Sequence, residues 1–173
     1  MRVAPILLLT RPDIQLDLKM TAEQVESAAQ MTALLHERAG LLRGRNDNEA
    51  VRARAEIDNT GSRWIRENLS GEQQSRLAQL DLQWEGPSAM LRPIVRETLR
   101  LQDTQSSALA KAIAERNSKR KGGPAVAADE VALFKTAIGV LSEPQVKQYR
   151  AILGPMAPFQ TAIHPMRDAT IIR

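Results

Sequence analysis

The sequence contains no cysteine, so it can build neither a disulfide framework nor a thiolate metal site. Aromatic residues make up 3% of it, too few for the stacking platforms that hold single-stranded nucleic acid. Histidine occurs only at His36 and His164, whereas a transition-metal shell needs three or four nitrogen, sulfur or carboxylate ligands. His36 and Glu37 are consecutive on a helix and diverge, and His164 with Met166 forms only a lone pair around Pro165. Both histidines read as solvated, and no metal or cofactor is expected. Long apolar runs are also missing. The N-terminal run Ile6-Leu7-Leu8-Leu9 lies between Pro5 and Arg11-Pro12, short of the about 20 residues of a membrane span or the about 7–15 of a signal-peptide core. The sequence therefore reads as either a cytosolic chain or a mature form whose export signal was removed. No G-x-S-x-G, P-loop, H-E-x-x-H or dinucleotide fingerprint occurs. Glu23 and Glu26 fall in a first helical turn, where the helix dipole accounts for acidic residues. No catalytic residue is identified, and the expectation is a protein without enzymatic activity.

What is present is a chain of 173 residues, 43% hydrophobic with a mean hydropathy of −0.32, enough to bury one core without staples. Its apolar residues recur at helical spacing. Val25, Ala28, Thr32, Leu35, Ala39 and Leu42 form one face of a helix over 22–43, closed by Gly40, Gly44 and Asn46-Asp47-Asn48. Further helices are expected over 49–68, 71–85, 93–100, 103–117, 128–140 and 143–153, with Pro93 suited to a first turn. Lys119 to Pro124 reads as a basic connector. Polar/apolar alternation of useful length is absent. The expected fold is all-α: an irregular bundle of about six or seven helices with extended, Pro-containing termini. It forms a single helical domain over 1–153, an extended N-terminal arm over 1–20, and a Pro-containing tail over 154–173.

One motif returns along the chain. Met20-Thr21-Ala22-Glu23-Gln24, Leu69-Ser70-Gly71-Glu72-Gln73 and Leu141-Ser142-Glu143-Pro144-Gln145 each read apolar, hydroxyl, two variable residues, glutamine. This is a capping box: the hydroxyl accepts from the backbone N–H three residues on, and the glutamine reaches back to the N–H of the cap. A degenerate copy, Leu101-Gln102-Asp103-Thr104-Gln105, lacks the hydroxyl. The helices should therefore start at or next to Thr21, Ser70 and Ser142. The motif glutamines Gln24, Gln73, Gln105 and Gln145 are unequally spaced, which argues against a regular solenoid.

The recurring motif resembles the LTxxQ family of periplasmic proteins (Spy/CpxP-like). Arg11-Pro12-Asp13-Ile14-Gln15 followed by Leu18-Lys19-Met20-Thr21 is similar to the opening of related secreted helical proteins, and Leu82 to Pro87 to their inter-helix break. The resemblance implies an export-destined helical protein, periplasmic or secreted, with a chaperone-like or stress-adaptor role. It also implies a basic, partly apolar surface that holds unfolded polypeptides; a homodimer is among the states it allows.

Lys and Arg number 24 against 20 Asp and Glu, and the pI is about 9.8. This mild excess does not make a nucleic-acid protein, so a nucleic-acid partner is disfavoured. The basic residues are concentrated. Residues 92–121 hold eight Lys or Arg against three Asp or Glu, a balance of +5. Arg92, Arg96 and Arg100 stand four apart, as one stripe of a short helix, and such a stripe can hold carboxylates or phosphates bidentately. With neighbouring Met90 and Leu91 they form the expected partner-binding surface for other proteins. The alternative is a structural or accessory subunit whose extended termini clasp a larger assembly.

Overall fold

A computed structural model describes residues 4–120 and 127–157, apart from the side chains of residues 120, 127 and 128. His164, the tail beyond residue 157 and most of the basic connector lie outside the described residues. The described chain is helical throughout. Its helices are α1 (Pro5–Leu8), α2 (Pro12–Asp17), α3 (Ala22–Gly40), α4 (Asn48–Asn68), α5 (Gly71–Glu85), α6 (Pro93–Leu99), α7 (Asp103–Arg120), α8 (Ala127–Val140) and α9 (Glu143–Leu153). A 3-10 segment covers Gly86–Leu91. The all-α expectation holds, and α3, α5 and α9 begin immediately after Thr21, Ser70 and Ser142. Packing divides the chain into two compact units, residues 1–81 and 82–173, where the sequence reads as one domain.

Unit 1 is built on the α3–α4 hairpin. Its buried seam carries Ala28 and Leu35 from α3, Leu42 from the turn, and Ala50 and Trp64 from α4. The Trp64 indole N–H donates to Ser27 Oγ at 3.1 Å. Asp47 caps α4, accepting from the Ala50 N–H at 2.9 Å. The Arg45 guanidinium bonded to that carboxylate, together with the Ala50 N–H, holds its pKa down at about 2. From residue 4 on, the expected N-terminal arm is not extended. It forms α1 and α2, and Ile6, Leu8, Leu9, Ile14 and Leu18 are buried. Helices this short cannot show a periodicity, but each opens on a proline whose missing N–H costs nothing there. Gly61 explains the contact. A Cβ at that position would lie 3.2 Å from Ile6 Cγ2 and 3.3 Å from Leu35 Cδ1. A glycine that weakens α4 by about 1 kcal/mol relative to alanine thus leaves room for α1.

Unit 2 repeats the plan with the α7–α8 hairpin, α6 and α9. Met90, Val95, Leu99, Phe134, Tyr149 and Leu153 lie in one buried cluster. The Tyr149 hydroxyl donates to the Gly86 carbonyl at 3.3 Å; burial pushes its pKa upward, and the nearby Glu85 charge adds to this. Of the apolar pair bracketing the start of α9, Leu141 belongs to this cluster and Val146, partly buried, packs against it. Gln83 is buried and holds the end of α9: its amide donates to the Leu153 and Pro155 carbonyls (2.7 and 2.9 Å) and its Oε1 accepts from the Ala157 N–H (2.9 Å). An ion pair, Arg116 to Glu130 at 2.7 Å, joins α7 to α8.

If α1 belongs to the core, Ile6→Ala should destabilise the protein by about 2–4 kcal/mol, the cost of truncating a buried aliphatic side chain. A denaturant titration at unchanged slope measures it. A loss below about 0.5 kcal/mol is what a surface arm would give.

Candidate functional site

The motif glutamines meet in pairs. Gln24 Nε2 donates to Gln73 Oε1 (3.1 Å) while Gln73 Nε2 donates to Gln24 Oε1 (3.0 Å), closing a head-to-head ring of two carboxamides. Each Oε1 also accepts from the backbone N–H of its own cap, Thr21 at 3.1 Å and Ser70 at 2.9 Å. The remaining amide protons go across: Gln24 to the Asn68 carbonyl (2.7 Å) and Gln73 to the Leu18 carbonyl (3.1 Å). The hydroxyls of Thr21 and Ser70 accept from the N–H of Gln24 and Gln73, both at 3.2 Å. Each glutamine thus uses both lone pairs and both protons.

Unit 2 contains the same ring. Gln105 and Gln145 exchange hydrogen bonds at 2.8 and 3.1 Å, and their Oε1 atoms accept from the Gln102 and Ser142 N–H groups at 3.0 and 2.9 Å. Gln105 reaches the Val140 carbonyl (2.8 Å) and Gln145 the Leu99 carbonyl (3.1 Å). The missing hydroxyl at Gln102 does not prevent the ring, because the ring needs only the backbone N–H there. All seven motif residues are therefore engaged in internal bonding.

The expected partner surface changes more. Met90 is fully buried, so it is a core residue and not a contact for a partner; the 3-10 segment turns it inward. Leu91 is half-buried and packs against the same core. The three arginines do not form a helical stripe. Arg92 precedes α6 in extended conformation, Arg100 follows it in the left-handed region, and only Arg96 lies on the helix. Arg92 is paired with Glu85 and Arg96 approaches Asp103 at 3.6 Å. Arg100 is exposed and makes no ion pair among the described residues. It lines an open groove of about 630 Å³ between the end of α6, from Glu97 to Arg100, and the first turns of α9, at Pro144, Gln145 and Gln148.

The exposed apolar residue beside these cations is Ile94, 68% accessible on the outer side of α6. The sequence carries a signal for it. With Val95 and Leu99 four apart as the inward pair, Ile94 falls on the opposite face. No cluster of three or more His, Asp or Glu placed to hold a metal occurs among the described residues, and none of their helices is long and apolar enough to cross a membrane. The chain matches no family model, no curated protein and no solved structure.

Because the carboxamide rings use amide donors and carbonyl acceptors together, Gln73→Glu should destabilise unit 1 by about 2 kcal/mol despite its equal size, since it removes two donors and faces oxygen to oxygen. A double-mutant cycle of Gln24→Ala with Gln73→Ala should show a coupling of about 1 kcal/mol. Gln24→Ala with Gln105→Ala, which share no partner, should add to within about 0.5 kcal/mol.

Proposed function

We propose that this protein binds other polypeptides without catalysing a reaction, in a chaperone-like or stress-adaptor role, as a periplasmic or secreted protein. One observation carries the reading: in unit 2 a strongly exposed Ile94 lies on the short helix that is followed by the exposed Arg100, which has no ion pair among the described residues and lines a groove. Cations accelerate encounter with acidic segments through solvent, and exposed apolar surface then retains their apolar side chains. The LTxxQ resemblance points the same way. The glutamines, all engaged internally, have the role of holding the binding surface in shape. The accessory-subunit alternative draws less support, since the N-terminal segment it would use as a clasp is buried as α1 and α2.

The test is suppression of aggregation of a chemically denatured acidic client. Wild type should suppress it at low salt and less well as the Debye length falls from about 10 Å at 0.1 M to about 3 Å at 1 M. The Arg96→Glu, Arg100→Glu double variant should weaken capture roughly tenfold, and Ile94→Ser should weaken it without altering the salt dependence. Equal suppression by all variants, or none by wild type, would exclude the reading.

A further inference from the structure

Unit 1 has an exposed cation, Lys19, at the position that Arg100 holds in unit 2. The two units are one construction laid down twice. Pro12 and Pro93 open α2 and α6, Lys19 and Arg100 follow their last turns, and Gln24 and Gln105 complete the first motifs, all three pairs at one and the same offset in sequence. The second motifs, ending at Gln73 and Gln145, stand at a smaller offset, so the hairpin between first and second motif is shorter in unit 2. The rings match bond for bond. In both units the first glutamine reaches the carbonyl two residues before the partner cap, and the second reaches the carbonyl three residues before.

Lys19 (φ 49°) and Arg100 (φ 50°) are the non-glycine residues with positive φ in the described chain. Each closes its helix with the same pair of bonds. The N–H groups of Lys19 and Met20 donate to Leu16 and Gln15 at 3.1 and 3.0 Å, and those of Arg100 and Leu101 to Glu97 and Arg96, both at 3.0 Å. Glycine fits such a position best, and an L side chain is strained there. Both units nonetheless place a long cationic side chain in it, and both side chains are exposed. Two acidic neighbours are turned elsewhere, Asp17 holding Arg76 at 2.6 and 2.9 Å and Asp103 facing Arg96, while Glu97 lines the groove together with Arg100. Each short helix also presents one strongly exposed apolar side chain, though at different positions: Leu16 (81%) three residues before Lys19 and Ile94 (68%) six residues before Arg100.

We infer that Lys19 is a second cationic anchor, so that the chain offers two docking surfaces, one per unit, alike in the placement of the cation. Each takes an unfolded acidic polypeptide segment by a carboxylate and an adjoining apolar side chain. The cation meets the carboxylate, and Leu16 or Ile94 covers the apolar group. This inference rests on the polypeptide-binding reading and extends it to unit 1, with charge complementarity selecting the occupant.

The experiment uses the full chain and a fluorescent unstructured peptide of Glu, Leu, Gly and Ser, with its Lys-for-Glu counterpart as control. Calorimetry gives stoichiometry, and thermal unfolding gives the midpoint. Wild type should bind two acidic peptides and no basic one. Lys19→Gly and Arg100→Gly should each bind one while the melting midpoint rises, because glycine relieves the left-handed strain. The double variant should lose binding at least tenfold, and Lys19→Arg should keep both sites. Two peptides still bound by Lys19→Gly, or one bound by wild type and lost only in Arg100→Gly, would overturn the second anchor and leave the polypeptide-binding reading in place. Binding lost in Lys19→Gly together with a lowered midpoint would assign the residue to the fold and overturn the anchor as well. No binding by wild type would overturn both.

Discussion

A primary carboxamide has two protons to donate and an oxygen with two lone pairs, and each unit of this protein places two of them face to face with every capacity used. The constraint is severe. A carboxylate supplies no donors, asparagine lacks the reach to close its own capping box from the same position, and an apolar residue leaves one cap N–H, one carbonyl and the facing carboxamide without their partner. In return one ring fixes the starts of two helices and the ends of the two segments that precede them. The short helix, the long hairpin and the following helix of each unit are all referred to this one point. The hydrophobic seam of the hairpin can then be modest, as the small Ala28, Ala50 and Gly61 of unit 1 show.

Much of this was legible in the sequence. The helix starts at Thr21, Ser70 and Ser142 follow from capping chemistry, which is local, and α3 to α9 follow from apolar spacing. What was not legible depends on pairing across the chain. The four motif glutamines look irregularly placed because the repeating unit is a pair of motifs. Only the step from Gln24 to Gln105, or from Gln73 to Gln145, bears on the duplication. α1 and α2 escape a periodicity argument because each completes fewer than two turns, and their burial is signalled only indirectly, by a glycine inside α4. Met90 and Arg92 were misplaced for a related reason. Proximity in sequence to a basic stripe says nothing about a 3-10 turn that buries one residue and pairs the next cation with Glu85.

The two units fill the middle of their hairpins differently. Position 35 of unit 1, a buried leucine near Gly61, corresponds to Arg116 of unit 2, which meets Glu130 in a largely buried ion pair. Arg116 Nε is buried there without a hydrogen-bond partner. Taking both charges out of water offsets much of their attraction, so this contact specifies a geometry more than it adds stability. One copy of the module has an apolar hairpin, and the other carries a charge at the matching core position.

The Gln83 clasp reads only main chain: two carbonyls, at Leu153 and Pro155, and one N–H, at Ala157. Side-chain identity in this stretch is therefore under no demand from the clasp itself, and what demand there is comes from the core that Leu153 and Met156 pack in and against. Proline is the exception, and its tolerance alternates. At 155 the ring is harmless because only the carbonyl is used; at 157 it would delete the one proton that Gln83 Oε1 receives. A segment that looks featureless by composition thus carries a positional grammar written in backbone polarity alone.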